Sequence, residues 1–409
     1  DSEQMAGLLK ASKFEITEDI DSANVVIFNT CTLKSLTENA FFKRLEEVKA
    51  VDPYRIIIVA GCIAQTEAKN LKNYPLIGTN QVHHVVEVVE EALNNHKVRL
   101  LNKDEIPPLC LPRIRKNPIV NIIPISRGCL GAGSYCKTKE ARGNLVSYSL
   151  NDIEEEVENA LEQGVKEIWL TSEDIGCYGF DIGLNLSHLL KKLVKIKGKF
   201  KIRLGMMNPT NLIKIKNDIL PVLSHQKLFQ FLHLPVQSGN DEVLLKMNQG
   251  YTVKEYISLV SEIKEFYPLM TIATDVIVGF PGETEEQQCD TLNLIRNTIP
   301  DVVNISGFWP RPNIPAEEME QELPDEVIKH RSRVLTDICY NIFKLRNERW
   351  MGWEGPIIID EKNEVTGQWI GRNSSYKPVI VSGNFKLGQL LKVKIIRAET
   401  FGLWGKVLY

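Results

Sequence analysis

Between Asn117 and Asn347 six short apolar runs alternate with helix-length stretches, and no other feature limits the fold so strongly. The runs are Ile119–Ile125, Glu167–Thr171, Phe200–Leu204, Phe229–Leu234, Ile272–Val278 and Val302–Phe308. Helical stretches such as Leu150–Gln163, Asn240–Met247 and Thr284–Thr298 intervene. Strand then helix, repeated, requires parallel pairing, because each connection must cross back over the sheet. Six repeats fit an open, partial (β/α) barrel, whose site lies at the C-terminal strand ends. Four of those ends carry polar and glycine-rich segments: Ser172-Glu173-Asp174, Met207-Asn208-Pro209, Pro235-Val236-Gln237-Ser238-Gly239 and Gly279-Phe280-Pro281-Gly282-Glu283. One such segment is a turn; four after successive strands form a site.

A smaller α/β region precedes this one, from Asp1 to about Leu111. Met5, Leu8 and Leu9 recur at helical spacing. Asn24–Asn29 and Arg55–Ala60 read as buried parallel strands flanking a helix, Leu36–Val51. Cys31 and Cys62 directly follow these strands, where ligands of parallel sheets bind. Cysteine is also an ordinary small core residue. Two at equivalent strand ends favour convergence on a shared ligand. Pro107–Pro118, rich in Pro, Arg and Lys, reads as a linker.

After the first barrel strand comes the loop S-R-G-C-L-G-A-G-S-Y-C-K-T-K-E-A-R-G-N-L, Ser126 to Leu145. Cys129 and Cys136 lie among glycines and small residues that let backbone wrap a bound metal or cluster. The loop ends in a basic run, Lys137, Lys139 and Arg142. Cys177 follows the second strand, facing the same rim as Cys129; it could supply a further thiolate but reads better as a free loop cysteine. Cys289 and Cys339 read as packing residues, and His233 as a satisfied core histidine.

After a helix at Glu326–Arg349 the pattern changes to short apolar runs, Pro356–Ile359, Pro378–Val381, Leu390–Ile396 and Leu403–Leu408. They predict a small antiparallel β-barrel over residues 350–409. Lys386, Lys392, Lys394, Arg397 and Lys406 stand near Tyr376, Phe401 and Trp404 in sequence, the mixture that RNA phosphates and unstacked bases need. A formal net charge of −3 argues against wholesale coating of nucleic acid but allows such a local face. No apolar run approaches the about 20 residues of a membrane span. The start D-S-E-Q-M-A lacks a signal-peptide pattern, and eight scattered cysteines form no disulfide framework, so a reducing cytoplasm is expected. The chain opens without Met at a helix start, so further residues are expected upstream.

The cysteine loop resembles the C-x-x-x-C-x-x-C cluster loop of radical S-adenosylmethionine enzymes. K-T-K-E-A-R-G resembles the archaeal and eukaryotic threonylcarbamoyladenosine branch of the tRNA methylthiotransferases. One departure is plain: the middle cysteine would stand at position 133, which is Gly133. The resemblance covers nearly the whole chain and implies three domains: an N-terminal methylthiotransferase domain at 1–111, a radical S-adenosylmethionine barrel at 117–347 and a TRAM-like RNA-binding barrel at 350–409. It implies two 4Fe–4S clusters. One is held at Cys129 and Cys136, with a third thiolate missing at Gly133. The other, auxiliary, is held by Cys31 and Cys62, with its first ligand upstream of Asp1. S-adenosylmethionine would be contacted by Glu173, Asn208 and Gln237, with its adenine near Tyr135. Met247-Asn248-Gln249-Gly250-Tyr251 matches a family segment that commonly carries Arg at the Gln249 position. RNA contacts would come from Arg142, Lys392, Lys394 and Arg397. The implied reaction is methylthiolation of carbon two of threonylcarbamoyladenosine at tRNA position 37, with electrons from a donor such as flavodoxin or ferredoxin and the sulfur source open. The same chemistry on isopentenyladenosine or a ribosomal-protein aspartate, or a tRNA-binding remnant without catalysis, are the alternatives. With Gly133, the radical cluster is expected to be labile.

Overall fold

In a computed structural model that describes residues 1–32, 35–319 and 323–408, the chain forms two units. One comprises Asp1–Lys116, Arg127–Gly131 and Cys136–Val146; the other comprises Asn117–Ser126, Ala132–Tyr135 and Ser147–Tyr409. Tyr409, the end of the expected last domain, lies outside the described residues.

The first unit is built on a parallel sheet in the order Val25–Thr30, Ile56–Gly61, Leu76–Ile77, Arg99–Leu100. Ile56–Gly61 runs centrally, with Ile58, Val59 and Ala60 fully buried, as a strand covered on both faces must be. Met5 and Leu9 of the helix Ser2–Ala11, with Val85, Val88 and Val89, cover one face. Phe41, Leu45 and Val48 of the helix Ser35–Val51 cover the other. The Pro-rich stretch is no free linker. Its Ile114 N–H donates to the Glu3 carbonyl at 2.9 Å, and Lys116 N–H to the Glu3 carboxylate at 2.9 Å. Gly7 permits this approach: a Cβ there would lie 2.3 Å from Arg113 backbone.

In the second unit six parallel strands appear where the apolar runs predicted them. Val120–Pro124, Glu167–Thr171 and Lys201–Leu204 form one sheet; Phe231–His233, Thr271–Val278 and Val302–Gly307 form the next. Bridges Ile202–Leu228 and Met206–His233 join them into one partial barrel. Residues alternate across each strand. Ile168, Leu170, Ile202, Leu204, Leu232, Ile272 and Val276 are buried almost completely. Trp169, Arg203, His233, Asp275 and Asn304 point the other way, into a less buried lumen.

The C-terminal barrel is closed by five strands, Glu354–Lys362, Trp369–Arg372, Pro378–Val381, Gly402–Val407 and Leu390–Glu399, in that spatial order. The sequence reading has four of these and misses Trp369–Arg372. The pairing of Pro378–Val381 with Gly402–Val407 is parallel, so the barrel is not wholly antiparallel. Its core is Ile357, Ile359, Val379, Val393, Ile395 and Leu403, with Trp350 at its base. Asp301 fastens this barrel to the larger one by pairing with Arg346 at 2.9 Å and Lys377 at 2.8 Å. Among the described residues no helix is long and apolar enough to cross a membrane.

Candidate active site and RNA-binding face

In the first unit, strand register brings two cysteines to one edge. Thr30 pairs with Gly61, so Cys31 and Cys62 leave adjacent strands at the same level. The Thr30 hydroxyl ties the two ends together, donating to the Ala60 carbonyl at 2.6 Å and accepting from Ile63 N–H at 3.1 Å. Gly61 has φ +88°, and a Cβ on it would lie 2.4 Å from the Thr30 carbonyl oxygen. Burial pushes the Cys62 thiol up; the Arg142 guanidinium opposes this, and Cys31 adds to it. The two thiols therefore feel one another, beside a cation that favours thiolate. Arg142 also lies 3.6 Å from Asp1, whose other carboxylate oxygen holds Arg127 at 2.9 Å. Lys137 of the basic run is buried and paired with Glu67 at 2.7 Å.

The cysteine loop is pinned at its ends. Cys129 N–H donates to the Gly143 carbonyl at 3.2 Å. Gly128 has φ +75°, and a Cβ there would stand 1.8 Å from the Asn144 carbonyl. Gly131 N–H donates to Cys129 Sγ at 3.1 Å, and Cys136 Sγ lies 3.1 Å from the Thr138 hydroxyl.

At the strand ends of the second unit, Gln249 links two of the expected cofactor contacts. Its Nε2 donates to the Tyr135 hydroxyl at 3.1 Å, and its Oε1 accepts from Asn208 Nδ2 at 3.3 Å. Asn208 also caps the helix Pro209–Leu223 through Thr210 N–H. Tyr135 packs in one cluster with Val243, Met247 and Phe280, which brings the Gly279–Glu283 segment beside it. Gln237 follows its strand with φ +67°, a strained backbone for a residue with a Cβ. Glu173 follows the strand Glu167–Thr171. Its neighbour Asp174, which sequence reasoning passed over, is the hub: it accepts from Gly176 N–H, Asn208 N–H and Asn211 Nδ2. Burial raises its carboxyl despite those donors. An Asp two residues before a Gly at the start of a short helical turn, where its carboxylate can cap the turn, was the available signal.

Three expectations change. Cys177 is fully buried and bonded to the Asp174 carbonyl, so it does not face the rim. Cys289 is exposed, because its helix turns that side to solvent, and is no packing residue; Cys339 is buried, its thiol pushed up to about 12. Tyr376 does not join the basic face. With φ +60° it turns inward against Phe229, Phe231 and Trp169.

Lys392 and Lys394 do point outward from the strand Leu390–Glu399. Lys394 faces Lys406 across the ladder and pairs with Glu354 at 2.9 Å. A register shift between Ile395 and Arg397 turns Arg397 outward as well, 4.5 Å over the Trp404 ring.

Three family patterns match the chain in order: the uncharacterized protein family UPF0004 over residues 1–79, the Radical SAM superfamily over 123–295 and the TRAM domain over 352–408. With the parallel partial barrel, they define a radical S-adenosylmethionine enzyme carrying a TRAM domain. The fold is shared with the radical S-adenosylmethionine methyltransferase TsrM from Kitasatospora setae: TM-score 0.56, 14% identity, 77% of this chain and 71% of that one covered. Sequence narrows the class. The chain is 38% identical to the threonylcarbamoyladenosine tRNA methylthiotransferase of Danio rerio, covering 100% of this chain and 76% of that protein. It is 38% identical to the Homo sapiens enzyme, with 99% and 71% covered. It is 37% identical to a probable one from Pyrococcus abyssi, with 95% and 93% covered. The chain belongs to the threonylcarbamoyladenosine tRNA methylthiotransferase family.

The cofactors of this class are an iron–sulfur cluster and S-adenosylmethionine. The loop offers two thiolates, Cys129 and Cys136, with Gly133 at the third motif position. Among the described residues, the group of three ligand side chains close enough for one metal is His83, His84 and Glu105, which contains no cysteine. The loop as it stands does not fit a cluster held by three protein thiolates.

Proposed function

We propose that this protein is a cytoplasmic enzyme that methylthiolates carbon two of threonylcarbamoyladenosine at position 37 of tRNA, replacing a C–H bond by C–S–CH3. The observation that carries the reading is the placement of Cys31 and Cys62 at register-matched ends of adjacent strands, a second thiol pair besides Cys129 and Cys136. Methyl transfer alone needs no second thiol pair, whereas sulfur insertion needs a place to hold sulfur. Three working parts follow: residues 1–111 hold an auxiliary 4Fe–4S cluster, 117–347 hold S-adenosylmethionine and the radical cluster, and 350–409 bind tRNA.

Glu173, Asn208, Gln237 and Tyr135 are assigned to S-adenosylmethionine. Lys392, Lys394 and Arg397 are assigned to RNA phosphates. Arg142 serves the Cys62 thiolate first; a phosphate reaching it would compete with Asp1. The electron donor is a small carrier of the flavodoxin or ferredoxin kind. Gly133 favours a second reading, a tRNA-binding protein that has lost radical chemistry. Nucleoside analysis separates these readings. Tightly bound tRNA with no 2-methylthio product, even after Gly133→Cys, would support the second and overturn the first. Product on isopentenyladenosine would reassign the substrate.

A further inference from the structure

Where the lumen of the larger barrel meets the helix Asp325–Glu348 and the C-terminal barrel lies a cavity of about 700 Å³, with none of its lining from the strand-end segments assigned to the cofactor. Arg203, Phe231, His233, Asn304 and Tyr376 line it, and it opens past the exposed rings of Tyr340 and Phe401. Its size is that of a small-molecule site. At its inner end the Arg203 guanidinium sits among three aromatic rings, 5.2 Å from Trp169, 4.8 Å from Phe231 and 5.0 Å from Tyr376. Its Nε is buried without a hydrogen-bond partner, and among the described residues it makes no close salt bridge, although the Glu167 carboxylate acts on it from farther off. Desolvation lowers its affinity for the proton. Aromatic faces hold a cation in place but do not neutralise it. A planar, partly dry guanidinium with an open edge is a seat for a carboxylate, which it meets with paired, charge-assisted hydrogen bonds.

Beside it lie polar groups already tied together. His233 Nε2 meets Asp275 Oδ1 at 2.9 Å, and Asn304 Nδ2 donates to the same oxygen at 2.7 Å. They offer donors and acceptors for a hydroxyl or an acyl-urea group.

We propose that this cavity is the specificity pocket for the threonylcarbamoyl arm and that Arg203 reads the arm's carboxylate. The inference rests on the proposed function and deepens it. In adenine, carbon two and carbon six flank N1. A base that presents carbon two to the strand-end rim therefore directs its N6 substituent away from that rim, which is where the lumen lies. An isopentenyl arm carries no charge and would leave Arg203 unmet, so the pocket discriminates against it by an unpaired buried cation.

The test is binding of three anticodon stem-loops to the full chain: one with threonylcarbamoyladenosine, one with its carboxylate converted to a methylamide, and one with plain adenosine. The unaltered protein should prefer the carboxylate form over the amide by roughly ten-fold or more, the size of a charge-assisted hydrogen bond. Arg203→Met should abolish that preference while keeping the affinity for plain adenosine. Arg203→Lys should retain part of it. Equal affinity of the unaltered protein for carboxylate and amide overturns the assignment whether or not the variants fold. So does an undiminished preference in Arg203→Met. Indifference to the whole arm would instead count against the proposed substrate, so the two failures are distinguishable.

Discussion

Gln249 donates to the Tyr135 hydroxyl at 3.1 Å while its own carbonyl takes the Asn208 amide at 3.3 Å. One neutral side chain thus spans the strand-end segment at Asn208 and the segment that carries Tyr135. An arginine here could donate to both partners but accept from neither.

Gln249→Ala should weaken S-adenosylmethionine binding about ten-fold by freeing two partners, with little loss of stability because the bonds are only partly buried. Isothermal titration with S-adenosylmethionine under anaerobic conditions reads this. An unchanged affinity would remove Tyr135 and Asn208 from the cofactor site.

Ligand number predicts the next result. The unaltered chain should hold substoichiometric iron at the loop and form little 5′-deoxyadenosine under reducing conditions. Gly133→Cys should raise both, and iron per chain together with nucleoside yield is the comparison. Full occupancy without the substitution would require an external third ligand, since Cys177 is buried.

Glu167 gives a pH signature. Burial, with the Asp360 charge second, raises its carboxyl from 4.5 to about 7. The folded protein therefore binds this proton more tightly than the unfolded chain does. The associated stability is complete below pH 4.5 and is lost as pH rises through 7, about 3 kcal/mol in all. Glu167→Gln should melt higher than the unaltered protein at pH 8, with the gap closing towards pH 5. A gap that does not change with pH would show that Glu167 does not titrate there.

At the first unit's edge, Gly61→Ala sets a Cβ against the Thr30 carbonyl at a positive φ. A loss of about 2–3 kcal/mol is expected, together with a change in the rate at which Cys62 reacts with a thiol reagent. Wild-type stability with wild-type reactivity would mean the strand ends are slack.

On the terminal barrel, replacing Lys392, Lys394 and Arg397 together by Ala should weaken tRNA binding and reduce the slope of log affinity against log salt by about 2. Lys392 should contribute most, because Lys394 is already paired with Glu354 and Arg397 with Glu399. Affinity and slope that do not move would place the RNA elsewhere.

The six barrel strands were legible because each is a continuous apolar run bounded by turn residues, and four of the five strands of the small barrel for the same reason. Trp369–Arg372 was not: Gly and Arg break its pattern, and only its neighbours make it a strand. Leu76–Ile77 and Arg99–Leu100 are too short to show a period. The strand ends were legible as a site, but the lumen was not. Arg203 reads as one charge in a strand, and its setting depends on Tyr376, more than 170 positions later, which the sequence grouped with the lysines beside it. Inward orientation of Tyr376 follows from a backbone angle that residue type does not announce.

The clamp at the base of the cysteine loop has a further meaning. Gly128 against Asn144, and Cys129 bonded to Gly143, close the loop with backbone atoms and a glycine; neither clamp uses a sulfur. Shape and redox competence are thus encoded in different atoms. A lineage can shed or regain a thiolate within the loop without its proteins misfolding, so neither expression yield nor thermal robustness reports on whether a given member still carries out its chemistry.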